Sequence, residues 1–178
     1  SIEKLKHFVS KEAFNIDGFG KKIVENFYKL KLIKLPQDIF KLDFKKIEKL
    51  EGWGKLSIEN LKYAINEKKN ISIERLIYSL GIRHIGLENA KLISKHFKSF
   101  YKFKALSKNE KYKELLNIDG IGETQVNSIK SFFSNKINLN VLDQLEEILT
   151  IKDTAENNKN GKLKNKTFMI TGKLIGIS

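Results

Sequence analysis

Four short stretches decide how this chain folds: Ile16-Asp17-Gly18-Phe19-Gly20, Leu50-Glu51-Gly52-Trp53-Gly54, Ile82-Arg83-His84-Ile85-Gly86 and Ile118-Asp119-Gly120-Ile121-Gly122. Their starts lie 34, 32 and 36 residues apart, a spacing that marks a repeated supersecondary unit. The frame stays apolar downstream of each glycine pair, with Val24, Ile58, Ala90 and Val126 at one offset and Phe27, Leu61, Ile93 and Ile129 three residues later. That spacing predicts one buried helical face repeated four times. Each unit therefore reads as a helix, a tight hairpin built on two glycines, and a second helix. Phe19, Trp53, Ile85 and Ile121 pin the hairpins onto the core. Glycine suits such a hairpin because it enters backbone conformations that a Cβ disfavours and lets a bare backbone approach another molecule.

Composition agrees with a folded helical domain and points to its partner. The chain has 178 residues, 40% of them hydrophobic, enough to bury a core. Its net charge of +13 and isoelectric point near 9.7 make a polyanion the expected partner, nucleic acid before an acidic membrane. Of 34 basic residues only Arg75 and Arg83 are arginine. Lysine makes point-charge contacts to phosphate, whereas reading guanine edges falls to arginine, so backbone binding without sequence choice is favoured. No apolar run reaches the roughly 20 residues needed to cross a bilayer, and the first residues have no signal-peptide core. A soluble, intracellular protein is expected. The absence of cysteine excludes disulfides and thiolate chemistry, and His7, His84 and His96 are too dispersed for a compact zinc site.

The second helix of each unit starts beside the exposed hairpin. Its unpaired N–H groups and positive dipole end form a ready phosphate site. The candidate DNA-binding residues are Gly18, Gly20, Lys21 and Lys22; Gly52, Gly54 and Lys55; Arg83 and Gly86; and Gly120, Gly122 and Thr124. The third copy departs from the pattern, with His84 in place of the first glycine; His84 is read as a packing residue rather than a specialised contact. The fourth carries Glu123 after its second glycine, so its contact rests on backbone N–H groups and the Thr124 hydroxyl. Four hairpins touching one or two phosphates each give on the order of 4 to 8 contacts, with a salt slope of about 0.9 per contact.

Between the hairpins, Pro36 opens a short helix running through Leu42, and the stretches 44–50, 73–80 and 108–116 read as the first helices of units two, three and four. Phe97, Phe100, Tyr101 and Phe103 read as core rather than as a base-stacking platform. The expected fold class is all-α, with four tandem motifs in one compact domain over residues 1–151. Residues 152–165 read as a flexible linker. Residues 166–178 begin Lys166-Thr167-Phe168-Met169-Ile170-Thr171-Gly172 and read as one truncated β-strand, which would place the chain end inside a further domain.

The four hairpins, the run Leu5-Lys6-His7-Phe8-Val9-Ser10, the string Leu80-Gly81-Ile82-Arg83-His84-Ile85-Gly86 and the closing Lys166-Thr167-Phe168-Met169-Ile170-Thr171-Gly172-Lys173-Leu174 together resemble bacterial NAD-dependent DNA ligases. The resemblance covers the whole chain. It implies a helix-hairpin-helix domain followed by the first strand of a BRCT domain, in a parent that uses NAD, Mg²⁺ and a structural zinc to seal nicks in replication and repair. It also implies a bacterial cytoplasmic setting with the nucleoid. The expected partners are nicked or duplex DNA, met through phosphates, and the other domains of the same ligase; no membrane is expected, and the chain is read as monomeric.

No catalysis is expected from this segment. The resemblance implies an adenylated lysine in a K-x-D-G motif, and here Asn15-Ile16-Asp17-Gly18 and Asn117-Ile118-Asp119-Gly120 have Asn at the nucleophile position. A dinucleotide fingerprint and a Walker A loop are also missing. No cofactor or metal site is therefore assigned within the segment. Two other classes stay open: the tandem hairpin module of a repair nuclease or junction-binding scaffold, and a base-excision glycosylase, against which four evenly spaced hairpins argue.

Overall fold

The structure, a computed structural model, describes residues 1–153. It is built almost wholly of helices: α1 (Ile2–Phe8), α2 (Lys21–Lys29), α3 (Phe44–Glu48), α4 (Lys55–Glu67), α5 (Ile73–Ser79), α6 (Leu87–Phe97), α7 (Phe100–Lys104), α8 (Leu106–Asn109), α9 (Glu123–Ser134) and α10 (Lys136–Ile148). Two 3₁₀ segments, Pro36–Lys41 and Tyr112–Asn117, interrupt the series. The all-α reading holds with one small addition. Strand β1 (Asn70–Ser72) pairs in parallel with β2 (Thr150–Lys152), in the register Asn70 to Thr150 and Ser72 to Lys152.

The repeated apolar frame is the core. Val24, Ile58, Ala90 and Val126, and Phe27, Leu61, Ile93 and Ile129, are all buried, none more than 5% exposed. The helices α2, α4, α6 and α9 thus turn equivalent faces inward. In the N-terminal half Phe8 stacks on Phe14 at 4.3 Å, with Phe40 edge-on to both. In the C-terminal half Phe97, Phe100 and Phe133 surround Phe103. These side chains lie within one continuous core, each large ring removing roughly 2–3 kcal/mol of apolar surface from water. Phe97, Phe100 and Phe103 are indeed core, whereas Tyr101 stands 76% exposed.

The halves are tied together at several places. Helix α10 packs on α9 and on the 3₁₀ segment Pro36–Lys41, where Lys41 donates to Gln144. Arg75 on α5 donates to the carbonyls of Lys11 and Ala13 at 3.1 and 2.8 Å, holding the chain after α1. The strand pair closes a third link, reinforced by Thr150 N–H donating to the Lys69 carbonyl at 2.7 Å.

Local differences from the sequence expectation have physical causes. The segment opened by Pro36 is 3₁₀, and it ends at Lys41; Asp38 turns its carboxylate back onto the N–H groups of Lys34 and Leu35 at 2.9 and 2.8 Å, which tightens the turn. The first helix of unit four is not continuous over 108–116. Glu110 adopts φ +54 and ends α8, so the chain restarts as 3₁₀ from Tyr112. Strands β1 and β2 escaped notice because three residues each carry no readable alternation. Lys152 lies in β2, one residue past the Ile151 boundary, and the remaining linker and strand expectations at 154–178 fall outside the described residues.

Candidate nucleic-acid interface

All four hairpins have the same hydrogen-bonded turn. Phe19 N–H donates to Ile16 O at 3.1 Å, Trp53 to Leu50 at 3.3 Å, Ile85 to Ile82 at 3.0 Å and Ile121 to Ile118 at 3.0 Å. The third residue of each turn has positive φ, a conformation that favours glycine there. Gly18, Gly52 and Gly120 supply it at +77, +88 and +99. In hairpin three the residue is His84, at φ +65.

The second glycine has a different meaning. Gly20, Gly54, Gly86 and Gly122 have φ of −82, −124, −89 and −114, values any residue adopts. A Cβ added at Gly20, Gly54 or Gly86 would meet no atom within 4 Å. Nothing inside the molecule therefore demands glycine at these positions. The reason given from sequence, a conformation closed to other residues, applies to the first glycine only; what the second provides is bare backbone facing outward.

Each second glycine is the residue before a helix, where a Ser, Asp or Asn side chain ordinarily accepts from the first free N–H groups and adds about 1 kcal/mol. The chain uses such caps elsewhere. Ser1, Asp43, Ser72, Ser99 and Asn135 cap α1, α3, α5, α7 and α10 through bonds of 2.8–3.4 Å. None of α2, α4, α6 and α9 receives a side-chain cap. Ser57 and Gln125 accept from the N–H of Gly54 and Gly122, both at 2.9 Å. Among the described residues no side chain at the cap position accepts from the N–H groups of the following first turns.

The twelve residues singled out from sequence are all exposed. The fold groups them in pairs of hairpins. Gly18 and Gly52 line one groove of about 820 Å³ with Ile23, Trp53, Leu61 and Tyr63. Arg83 and Thr124 line another, of about 350 Å³, with His84, Asn127, Ser128 and Ser131. Lys21, Lys22 and Lys55 stand at the starts of α2 and α4, outside both of these linings. No acidic residue lies in either first turn, so these lysines oppose the positive end of the helix dipole instead of complementing it. Helices α6 and α9 have the usual acid there, Glu88 and Glu123.

The packing assigned to His84 is overturned: its side chain is exposed and it takes the glycine conformation. Sequence reasoning also missed Asn127, Ser128 and Ser131. They follow Thr124 at helical spacing on α9, a polar stripe beside the buried one that could have drawn notice.

Comparison with known proteins agrees with this arrangement. The helix-hairpin-helix motif family matches residues 75–142, which contain hairpins three and four. The chain is 67% identical over its 178 residues to a DNA ligase of Pelagibacter ubique. This chain is homologous to a segment of DNA ligases. A ligase of Ehrlichia canis is 44% identical over 187 aligned residues, and one of Rickettsia canadensis 42% over 186, covering 99% and 98% of the chain. The chain spans about a quarter of these ligases, 26 to 27% of their length. Among the described residues no helix is long and apolar enough to cross a membrane, and no three His, Cys, Asp or Glu side chains group to hold a metal ion.

Proposed function

We propose that this ligase segment grips duplex DNA through phosphates on both strands, without reading sequence, and so holds a nicked duplex for the parts of the ligase that seal it. One observation carries the reading. Five helices have side-chain caps and α8 starts uncapped directly from the end of α7, while the four that follow hairpins have bare glycine at the cap position. Phosphate oxygens are suitable acceptors for the first-turn N–H groups of those four, and the half positive charge at each helix start adds to the attraction. Backbone donors recognise the spacing of phosphates and ignore the bases, which suits a nick that can lie anywhere. The relatives named DNA ligase support the choice of polyanion. By resemblance the parent's chemistry uses NAD, Mg²⁺ and a structural zinc; these belong to parts other than this segment, and so does the lysine that would take AMP. The residues beyond the folded helices are assigned to a tether and the start of a BRCT domain, and the setting to the bacterial cytoplasm.

The test is to give the helices the caps they lack. Gly20→Ser, Gly54→Ser and Gly86→Ser together place hydroxyls on the first-turn N–H groups, in space that is vacant and at φ values serine accepts. The fold should gain a few tenths of a kcal/mol per site. Fluorescence anisotropy with nicked, intact and branched duplexes across salt should nevertheless show at least a tenfold loss of affinity. Unchanged affinity in a folded variant with three of the four helices capped would defeat the reading. Preference for branched over nicked DNA would move the chain towards a junction-binding scaffold.

A further inference from the structure

Hairpin three keeps a side chain where the other three hairpins have none. His84 sits at φ +65, in the region taken by Gly18, Gly52 and Gly120, and a Cβ there is strained by about 1–2 kcal/mol. Glycine would relieve the strain, so folding alone does not account for histidine. Its carbonyl accepts from Asn89 Nδ2 at 3.0 Å, which steadies the turn without using the ring. The other two histidines are engaged: His7 Nε2 meets the Tyr78 carbonyl at 2.7 Å, and His96 faces Glu114 at 3.5 Å. Among the described residues the His84 imidazole has no hydrogen-bond, ionic or ring partner.

The groove beside it is polar and contains no anion. Helix α9 contributes Thr124, Asn127, Ser128 and Ser131, and hairpin three contributes Arg83. Glu88 on α6, paired with Lys91 at 3.7 Å, Asp119 of hairpin four and Glu123 at the start of α9 all lie outside the groove lining. Within that lining a cationic imidazole has Arg83 and no carboxylate beside it. The charge that would make protonation favourable has to arrive with the ligand.

We infer that His84 is a phosphate-contacting residue of the groove between hairpins three and four, and that its imidazole takes up a proton as duplex DNA binds. The inference rests on the duplex-binding reading and adds to it a proton-linked contact. A phosphate oxygen beside an imidazole favours its charged form, so the extra affinity is present at acid pH and is lost as pH rises.

The experiment measures duplex affinity of the 178-residue chain from pH 5.5 to 8.5 at fixed ionic strength, for the parent, His84→Gly and His84→Asn. Glycine removes both ring and strain; asparagine tolerates the positive φ without titrating. The parent should weaken about 5- to 10-fold between pH 6 and 8, and both variants should lose most of that slope while binding more weakly at pH 6. Calorimetry in buffers of different ionisation enthalpy should register proton uptake for the parent and less for either variant. A variant that keeps the parent's slope, proton uptake and pH 6 affinity overturns the inference while leaving duplex binding intact. Failure of every protein to bind duplex at any pH overturns both.

Discussion

Between hairpins one and two the groove is walled by Trp53, Leu61 and Tyr63, and three lysines stand at the adjoining helix starts, whereas between hairpins three and four Thr124, Asn127, Ser128 and Ser131 make the wall, with Arg83 and His84 at its rim. The turns beneath are the same, bond for bond. A repeated backbone has thus been given two chemistries: charge that acts over a Debye length of about 10 Å at 0.1 M salt, and short-range donors that need contact. The first pair should govern how fast and at what salt DNA is captured, the second how it is held. Helix α4 adds exposed Leu56 and Tyr63, 76% and 68% accessible, so the first pair also offers apolar surface.

The largest effect that would break this division comes from charge. Lys21→Gln, Lys22→Gln and Lys55→Gln together should lower the salt slope of duplex binding by about 2 to 3 and the affinity near 0.1 M salt by roughly 100-fold. Thr124→Val with Ser128→Ala should weaken binding by about 3- to 10-fold without changing the slope, since no ion is released by a hydroxyl. Equal slope losses from both sets, read by anisotropy across salt, would erase the distinction.

Next come the turn glycines, which report on folding. Gly120→Val combines φ +99 with a Cβ only 3.0 Å from Leu92 Cδ1, so a loss of about 2–3 kcal/mol is expected. Gly18→Val and Gly52→Val meet open space and should lose about 1–2 kcal/mol. Thermal unfolding checks the order. His84→Gly reverses the sign: its melting temperature should hold or rise by a few degrees, even as its DNA affinity falls.

The smallest effect is electrostatic and confined to the second half. Lys104 on α7 bonds Asp143 and Glu146 on α10. Its burial lowers its pKa, but the hydrogen bonds to the two carboxylates prevail and hold it above the usual lysine value. A raised folded pKa contributes stability that is present below about 10.5 and lost as pH climbs past it. Lys104→Met should cost under about 1 kcal/mol at neutral pH and show a smaller loss above pH 10, measured by urea unfolding.

Much of this was legible in the residues. Glycine spacing located four hairpins, and the offsets of Val24 and Phe27 and their counterparts located the buried face, because a helix period repeated four times leaves few alternatives. What stayed hidden depends on geometry that composition does not encode. Nothing in the letters separates a glycine needed for its φ, such as Gly18, from one whose bareness faces solvent, such as Gly20. His84 looked like an interruption of the motif; only its dihedral reveals that histidine has taken a glycine's conformation. Residues 70–72 and 150–152 pair only because the chain between them returns to its start.

That return has a meaning for how the molecule can be taken apart. Because β1 and β2 lie side by side, the second pair of hairpins leaves the first at one edge and comes back to the same edge. A segment whose two ends meet is the geometry that tolerates transplantation, since its host has only to accept two neighbouring attachment points. The second half therefore has the end geometry of an insert, with a neck of three residues on each side, and transplanting it would also mean replacing the contacts of Arg75 and α10 with the first half.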